Sequence, residues 1–218
     1  MAGIYIHIPF CKQRCTYCDF HFSTNLSYQQ RMMNSISKEL SLVAPAWREQ
    51  RIDTIYFGGG TPSLLTSKEL SSVMETIHNN FIVSTEAEVT IEANPDDINH
   101  QSSTEWKTLG VNRLSVGLQT FSQSQLEWMN RAHNEKQALE CVSIANKAGI
   151  NNLSLDLIYG LPNLSSKQWS ETLDTLSTLQ FTHLSSYILT VEDQTALKHQ
   201  VDKGMVQPIS ETLLEEQY

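Results

Sequence analysis

The sequence predicts an α/β protein in which six strands form a parallel sheet curled into a partial (β/α)6 barrel. Two observations carry this prediction. Short β-branched or apolar runs, most ending at Gly, Pro or a polar cluster, alternate with longer stretches of helical periodicity. Parallel neighbours also require crossover connections, and these share one hand, so successive β-then-α units bend the sheet in one direction. Six strands do not close an eight-stranded barrel, and the sheet is expected to stay open.

The elements follow in order. The first strand is Ile4–Ile8, stopped by Pro9-Phe10, and the first helix is Tyr28–Val43. The second strand, Thr54–Phe57, runs into Gly58-Gly59-Gly60, and its helix spans Ser67–Asn79, with Ser67 ahead of Glu69 and Leu70 as a start signal. The third strand, Glu88–Ala93, ends at Asn94-Pro95 and leads to a helix at Ser103–Leu109. The fourth, Arg113–Gly117, leads to Gln137–Ala148. Gly110 and Gly149 follow these two helices, where a left-handed closing residue is expected. The fifth strand is Leu153–Tyr159, its helix is Ser166–Leu179, and the sixth strand is His183–Leu189. Glu211–Tyr218 reads as a helix interrupted in mid-pattern. The expectation is therefore a single core domain, residues 1–218, of a longer protein whose C-terminal domain is absent.

Composition bounds the function. The chain is 40% hydrophobic and 18% charged, a globular balance with enough length for a sizeable core. A formal net charge of −9 argues against broad electrostatic affinity for nucleic acid. No apolar run approaches a membrane span, and the start lacks a signal peptide's basic region, so a cytoplasmic location is expected. In a reducing compartment, clustered cysteines suggest metal binding more than disulfides. Three of the 4 cysteines, Cys11, Cys15 and Cys18, form C-x3-C-x2-C; Cys141 stands alone in a helical segment and reads as a small buried residue.

The cysteine loop starts directly after the first strand, at the carboxyl end where parallel α/β barrels build their sites. Zinc could use the three thiolates with His7 or His21; an iron–sulfur cluster could use the three and leave one iron open. Zinc cysteines usually come as two pairs, and no second pair exists here, which puts the cluster ahead. Gly58-Gly59-Gly60-Thr61-Pro62 lets backbone approach a ligand closely at the next strand end. Glu92, Gln119, Arg131 and Asp156 are expected to mark later strand ends. A charge within an apolar strand is costly unless paired or liganded. Glu92 and Asp156 could simply pair with Arg131 or Arg113. Together the four residues could instead form a polar ring around a ligand.

With Tyr17 ahead of the third cysteine, the cysteine loop resembles the signature of the radical S-adenosylmethionine superfamily. The resemblance implies a [4Fe–4S] cluster on Cys11, Cys15 and Cys18, whose open iron chelates the methionine part of S-adenosylmethionine. It implies an electron donor for that cluster, and cleavage of the sulfonium to a 5′-deoxyadenosyl radical. The run of YIHIPFC, FGGGTPS, IEANP, RLSVGLQTF, NRAH and DLIYGLP resembles one branch, that of oxygen-independent coproporphyrinogen III dehydrogenases and related heme chaperones. Carried over residue by residue, Tyr5, Tyr17, Gly59, Gly60, Thr61, Glu92, Gln119, Arg131 and Asp156 would line the S-adenosylmethionine sites.

Within that branch, the dehydrogenases carry a further cysteine two residues after the third. Phe20 occupies that place here. They also have an extension ahead of the first strand, for which this sequence is expected to leave no room. Both departures favour the heme chaperone, which passes heme to an acceptor; the alternative is oxidative decarboxylation in porphyrin biosynthesis. The chaperones' heme-associated histidine motif lies in a C-terminal domain, so heme ligands are expected beyond Tyr218. None of the 7 histidines in this sequence is expected to ligate iron.

Overall fold

A computed structural model describes residues 2–218. Six strands, β1 (Ala2–Ile8), β2 (Arg51–Gly59), β3 (Ile82–Ala93), β4 (Arg113–Gln119), β5 (Asn152–Tyr159) and β6 (His183–Ile188), lie side by side in sequence order. Every neighbouring pair is parallel. Eight α-helices accompany them: α1 (Gln29–Val43), α2 (Ser67–Asn80), α3 (His100–Thr108), α4 (Gln123–Trp128), α5 (Glu135–Lys147), α6 (Ser166–Ser177), α7 (Ala196–Asp202) and α8 (Glu211–Gln217). No pairing joins β6 to β1, so the sheet is the expected open barrel.

Strand alternation divides the sheet into two chemistries. Ile55 and Phe57 of β2, Ile91 of β3, Leu114 and Leu118 of β4, and Leu153, Leu155 and Leu157 of β5 are each 0% exposed and belong to one core. Fully burying such a side chain contributes about 1.5–3 kcal/mol. The intervening residues, among them Tyr56, Glu92, Ser115, Gly117 and Asp156, occupy the other face. That face is where a ligand can be met.

Helix ends explain most of the remaining order. Thr66, one residue ahead of the expected Ser67, caps α2 by accepting from Glu69 N–H, while the Glu69 carboxylate accepts from Thr66 N–H. Ser165 and Gln168 form the same reciprocal pair at α6. Gly110 and Gly149 take φ values of +94° and +84°, the left-handed closure expected of them. Strands β2 and β3 begin earlier than expected: β2 starts with the polar Arg51 and Asp53, and the apolar Ile82-Val83 start of β3 is cut off from its core segment by the polar Ser84–Glu86. Helices α4 and α7 were not expected at all: each is a short piece with a single buried residue, Leu126 and Leu197. The α8 helix docks through Gln217, whose side chain accepts from Gly160 N–H at 3.0 Å and donates to Leu164 O at 2.8 Å. Cys141 is buried in α5, as expected, and burial pushes its thiol up to about 12. Among the described residues, no helix is long and apolar enough to cross a membrane.

Candidate functional site

The carboxyl ends of the strands surround a cavity of about 650 Å³. Cys11, Cys15 and Cys18 line it from the loop that follows β1. The base of that loop is closed by Ser23 N–H donating to Pro9 O at 2.8 Å and Cys11 N–H donating to Ser23 O at 3.0 Å. Two donors are aimed at the sulfurs: Thr61 Oγ1 lies 3.4 Å from Cys11 Sγ, and Arg131 Nη1 lies 3.4 Å from Cys15 Sγ. Burial raises the pKa of Cys11, and the Thr61 hydroxyl works against that rise. Burial raises Cys18 as well.

The glycine run sits under the cysteine loop. Gly60 N–H donates to Ile8 O at 2.9 Å, and a Cβ on Gly60 would lie 2.7 Å from Phe10 O and 2.9 Å from Phe10 N. Gly59 has φ +117°, a conformation glycine adopts freely and side-chain-bearing residues avoid. Its N–H donates to Glu92 Oε2 at 3.0 Å, and Tyr56 OH donates to Glu92 Oε1 at 2.8 Å. Burial still raises the Glu92 pKa against these two bonds, with Asp156 adding to the rise. Asp156 is raised for the same first reason, against hydrogen bonds from Ser185 and Ser115.

Arg131 is the central cation. Its Nη2 donates to Asn94 Oδ1 at 2.6 Å and to Gly117 O at 3.0 Å, while its buried Nε has no protein partner. Burial opposes its charge, yet Tyr17 and Cys15 hold its pKa above the ordinary value. Tyr17 is itself raised by burial.

The structure thus gathers Tyr17, Gly59, Gly60, Thr61, Glu92, Gln119, Arg131 and Asp156 with the cysteines on one cavity wall. Tyr5 stands outside that wall and is 59% exposed; it stacks on Tyr56 at 5.9 Å and shares a hydrogen bond with His7 Nδ1 at 3.1 Å. Two expectations are corrected. Arg131 is not at a strand end but in the turn after α4, because Gln123–Trp128 fold as a short helix. Among the described residues neither Glu92 nor Asp156 forms an ion pair with an arginine: Arg113 is drawn to Glu88 and Arg131 to neutral acceptors. Three contributors escaped sequence reasoning. Asn94 receives Arg131, Tyr56 fixes Glu92, and Lys12 pairs with both Asp96 and Asp97, fastening the cysteine loop to the β3–α3 connection. Tyr56 could have been found by alternation, lying between outward Ile55 and Phe57.

The donor set fits an iron–sulfur cubane. Each cysteine of such a cluster binds a different iron, so the thiolates spread over a loop instead of converging on one ion. Among the described residues, no three His, Cys, Asp or Glu side chains converge on a single-ion site. Hydrogen bonds from Thr61 and Arg131 stabilise the thiolate form that a cluster requires.

Comparison with known proteins places the chain in a family. The chain is 38% identical over 205 residues to the heme chaperone HemW of Buchnera aphidicola subsp. Schizaphis graminum, covering 88% of this chain and 52% of that protein. It is 32% identical over 199 residues to the heme chaperone HemW of Escherichia coli (strain K12), with 88% and 52% covered. The chain therefore spans about half the length of these curated relatives. The solved structure of coproporphyrinogen III oxidase (HemN) from Escherichia coli, a radical SAM enzyme, superposes with a TM-score of 0.90 at 25% identity, over 99% of this chain and 50% of that one. The Radical SAM superfamily profile matches residues 5–176, from β1 and its cysteine loop through most of α6, and the chain belongs to that superfamily.

Proposed function

We propose that this chain is the cofactor-binding core of a heme chaperone, holding a [4Fe–4S] cluster and S-adenosylmethionine while the whole protein carries heme to an acceptor. Phe20 carries the choice. It sits two residues past Cys18, lines the cavity and is 71% exposed, where the dehydrogenase branch has a cysteine. The two Escherichia coli proteins point the same way, with 32% identity to the chaperone and 25% to the oxidase. The second reading, coproporphyrinogen III decarboxylation, is favoured by the TM-score of 0.90 to that oxidase.

In the proposed site Cys11, Cys15 and Cys18 ligate the cluster. When bound, the reduced cluster supplies one electron to the sulfonium of S-adenosylmethionine. The chain's residues hold and orient that molecule. Glu92 has both oxygens fixed by donors and keeps lone pairs free for an ammonium. Gly59, Gly60 and Thr61 bring backbone close to the methionine part. Arg131, already fixed by Asn94 and Gly117, offers positive charge to a carboxylate. Gln119 and Asp156 accept from ribose hydroxyls, Tyr17 walls the site, and Tyr5, outside that wall, supports it through its stack on Tyr56. The protein works in the cytoplasm with a separate electron donor.

Two measurements test this. Calorimetry on reconstituted Glu92→Ala protein is expected to show S-adenosylmethionine binding weakened by about 1–3 kcal/mol, the worth of a charged hydrogen bond, at unchanged iron content. Unchanged affinity would remove Glu92 from the site. Chromatographic product analysis of the full-length protein, given coproporphyrinogen III, S-adenosylmethionine and a reductant, is expected to show no protoporphyrinogen IX. The same protein is expected to bind heme, and residues 1–218 alone to bind it weakly or not at all. Clear decarboxylation would promote the second reading.

A further inference from the structure

Three consecutive residues at the end of α4 hold four consecutive residues of the cysteine loop. Met129 O accepts from Thr16 N–H at 3.1 Å. Asn130 Nδ2 donates to Arg14 O at 2.7 Å, and Asn130 O accepts from Gln13 Nε2 at 2.8 Å. Arg131 Nη1 reaches Cys15 Sγ at 3.4 Å. Every residue from Gln13 to Thr16 is thus tied to the Met129–Arg131 turn, and the tied segment carries the middle cysteine.

The turn is rigid for reasons that do not involve the loop. Leu126 and Met129 are 1% and 0% exposed. Asn130 N–H donates to Glu127 O at 3.0 Å, and Arg131 N–H donates to Leu126 O at 2.9 Å. Asn130 has φ +54°, a left-handed corner that asparagine tolerates better than most side-chain-bearing residues. Asn130 therefore supplies both the corner and an amide that points back at the loop. The loop has little order of its own: between Phe10 and Ser23 it forms neither helix nor strand, and its internal backbone bond is Cys18 N–H to Cys15 O at 3.3 Å. Ordering a free loop on ligand uptake costs about 1–2 kcal/mol per residue, which a preset shape avoids.

We propose that the Met129–Arg131 turn is a preformed clamp that shapes the cysteine loop before any cluster is present, with Asn130 as its positioning residue. The clamp's use rests on the reading of the three cysteines as cluster ligands; the clamp itself stands on the protein alone. Lys12, held by Asp96 and Asp97, fixes the loop's entry. Gln194 O, ahead of α7, and Leu197 N–H, in its first turn, hold Arg14 and Thr16, both at 2.9 Å, so loss of the Asn130 amide loosens the middle of the loop while these other ties stay in place.

The test is hydrogen–deuterium exchange on iron-free wild-type, Asn130→Asp and Asn130→Gly proteins. Aspartate keeps the size and the left-handed tolerance but has no N–H to donate, and glycine keeps only the backbone freedom. Both variants are expected to exchange the Thr16 amide, which donates to Met129 O, about tenfold faster than wild type, as loss of one neighbouring hydrogen bond allows, with β4 and α5 unchanged. Reconstituted variants are expected to lose iron to a chelator faster by a similar factor. Wild-type exchange in both variants would overturn the clamp, and wild-type exchange in Asn130→Asp alone would overturn the role of the amide. A wild-type protein that takes up no iron, with the exchange pattern as expected, would refute the cluster reading and leave the clamp standing.

Discussion

A Cys15→Ala protein is expected to retain no [4Fe–4S] cluster. A three-thiolate set with one open iron has no spare ligand, and neither the fourth cysteine nor His7 is placed to substitute. Cys141 is buried in α5, and His7 is engaged with Tyr5. The substitution also strips Arg131 of its sulfur partner in a buried setting, at a cost of about 1–3 kcal/mol. Anaerobic reconstitution with iron analysis and electron paramagnetic resonance reads the first effect, and thermal melting of the iron-free protein reads the second. Iron content equal to wild type would move the ligand assignment elsewhere. Stoichiometric zinc with no iron uptake by the wild-type protein would end the iron–sulfur reading.

Gly60→Ala is expected to be the most damaging of the glycine-to-alanine substitutions that leave φ unstrained. The new Cβ would meet three backbone atoms within 3.0 Å: Phe10 O, Phe10 N and Ile8 O. Backbone cannot step aside as a side-chain tip can, so β1 and the entry to the cysteine loop must move. Overpacking of this kind costs roughly 1–3 kcal/mol or more. Because the displaced residues lead straight into Cys11, iron retention is expected to fall together with the melting temperature. Gly204 is the control: it has φ +68°, but a Cβ there meets nothing within 4 Å. Gly204→Ala should cost only the backbone strain and leave iron retention untouched. Equal loss in both variants would sever the glycine run from the cysteine loop.

The open parallel sheet was legible in the sequence because its core strands carry uninterrupted apolar alternation and end at glycine or proline. Leu153, Leu155 and Leu157 mark β5 without ambiguity, and Gly160 ends it. The start of β2 is broken by Arg51 and Asp53, and the Ile82-Val83 start of β3 is separated from its core segment by Ser84–Glu86, so both starts were missed. The cysteines, glycines and Glu92 were legible as site residues because each is costly or odd where it stands. Asn94, Tyr56 and Lys12 were not. Their roles depend on partners 37, 36 and 84 residues away, and no local pattern encodes such distances. Arg131 was found, but its neighbour Asn130 was read only as part of a motif. Its left-handed backbone and its bond to Arg14 exist only once the chain has folded.

The long sequence separation of the Asn130–Arg14 contact, 116 residues, has a consequence for biosynthesis. At about 5–20 residues per second, the ribosome releases the cysteines on the order of 10 s before the turn that shapes them. Strands β1, β2 and β3 are all released before the turn that holds the cysteine loop. A nascent chain therefore passes through an interval in which three reactive sulfurs sit on a half-built barrel, open to stray metals and oxidants. Translation speed between β3 and α5 sets the length of that exposure. The loop and the turn that shapes it are both available only after roughly the first 130 residues are out.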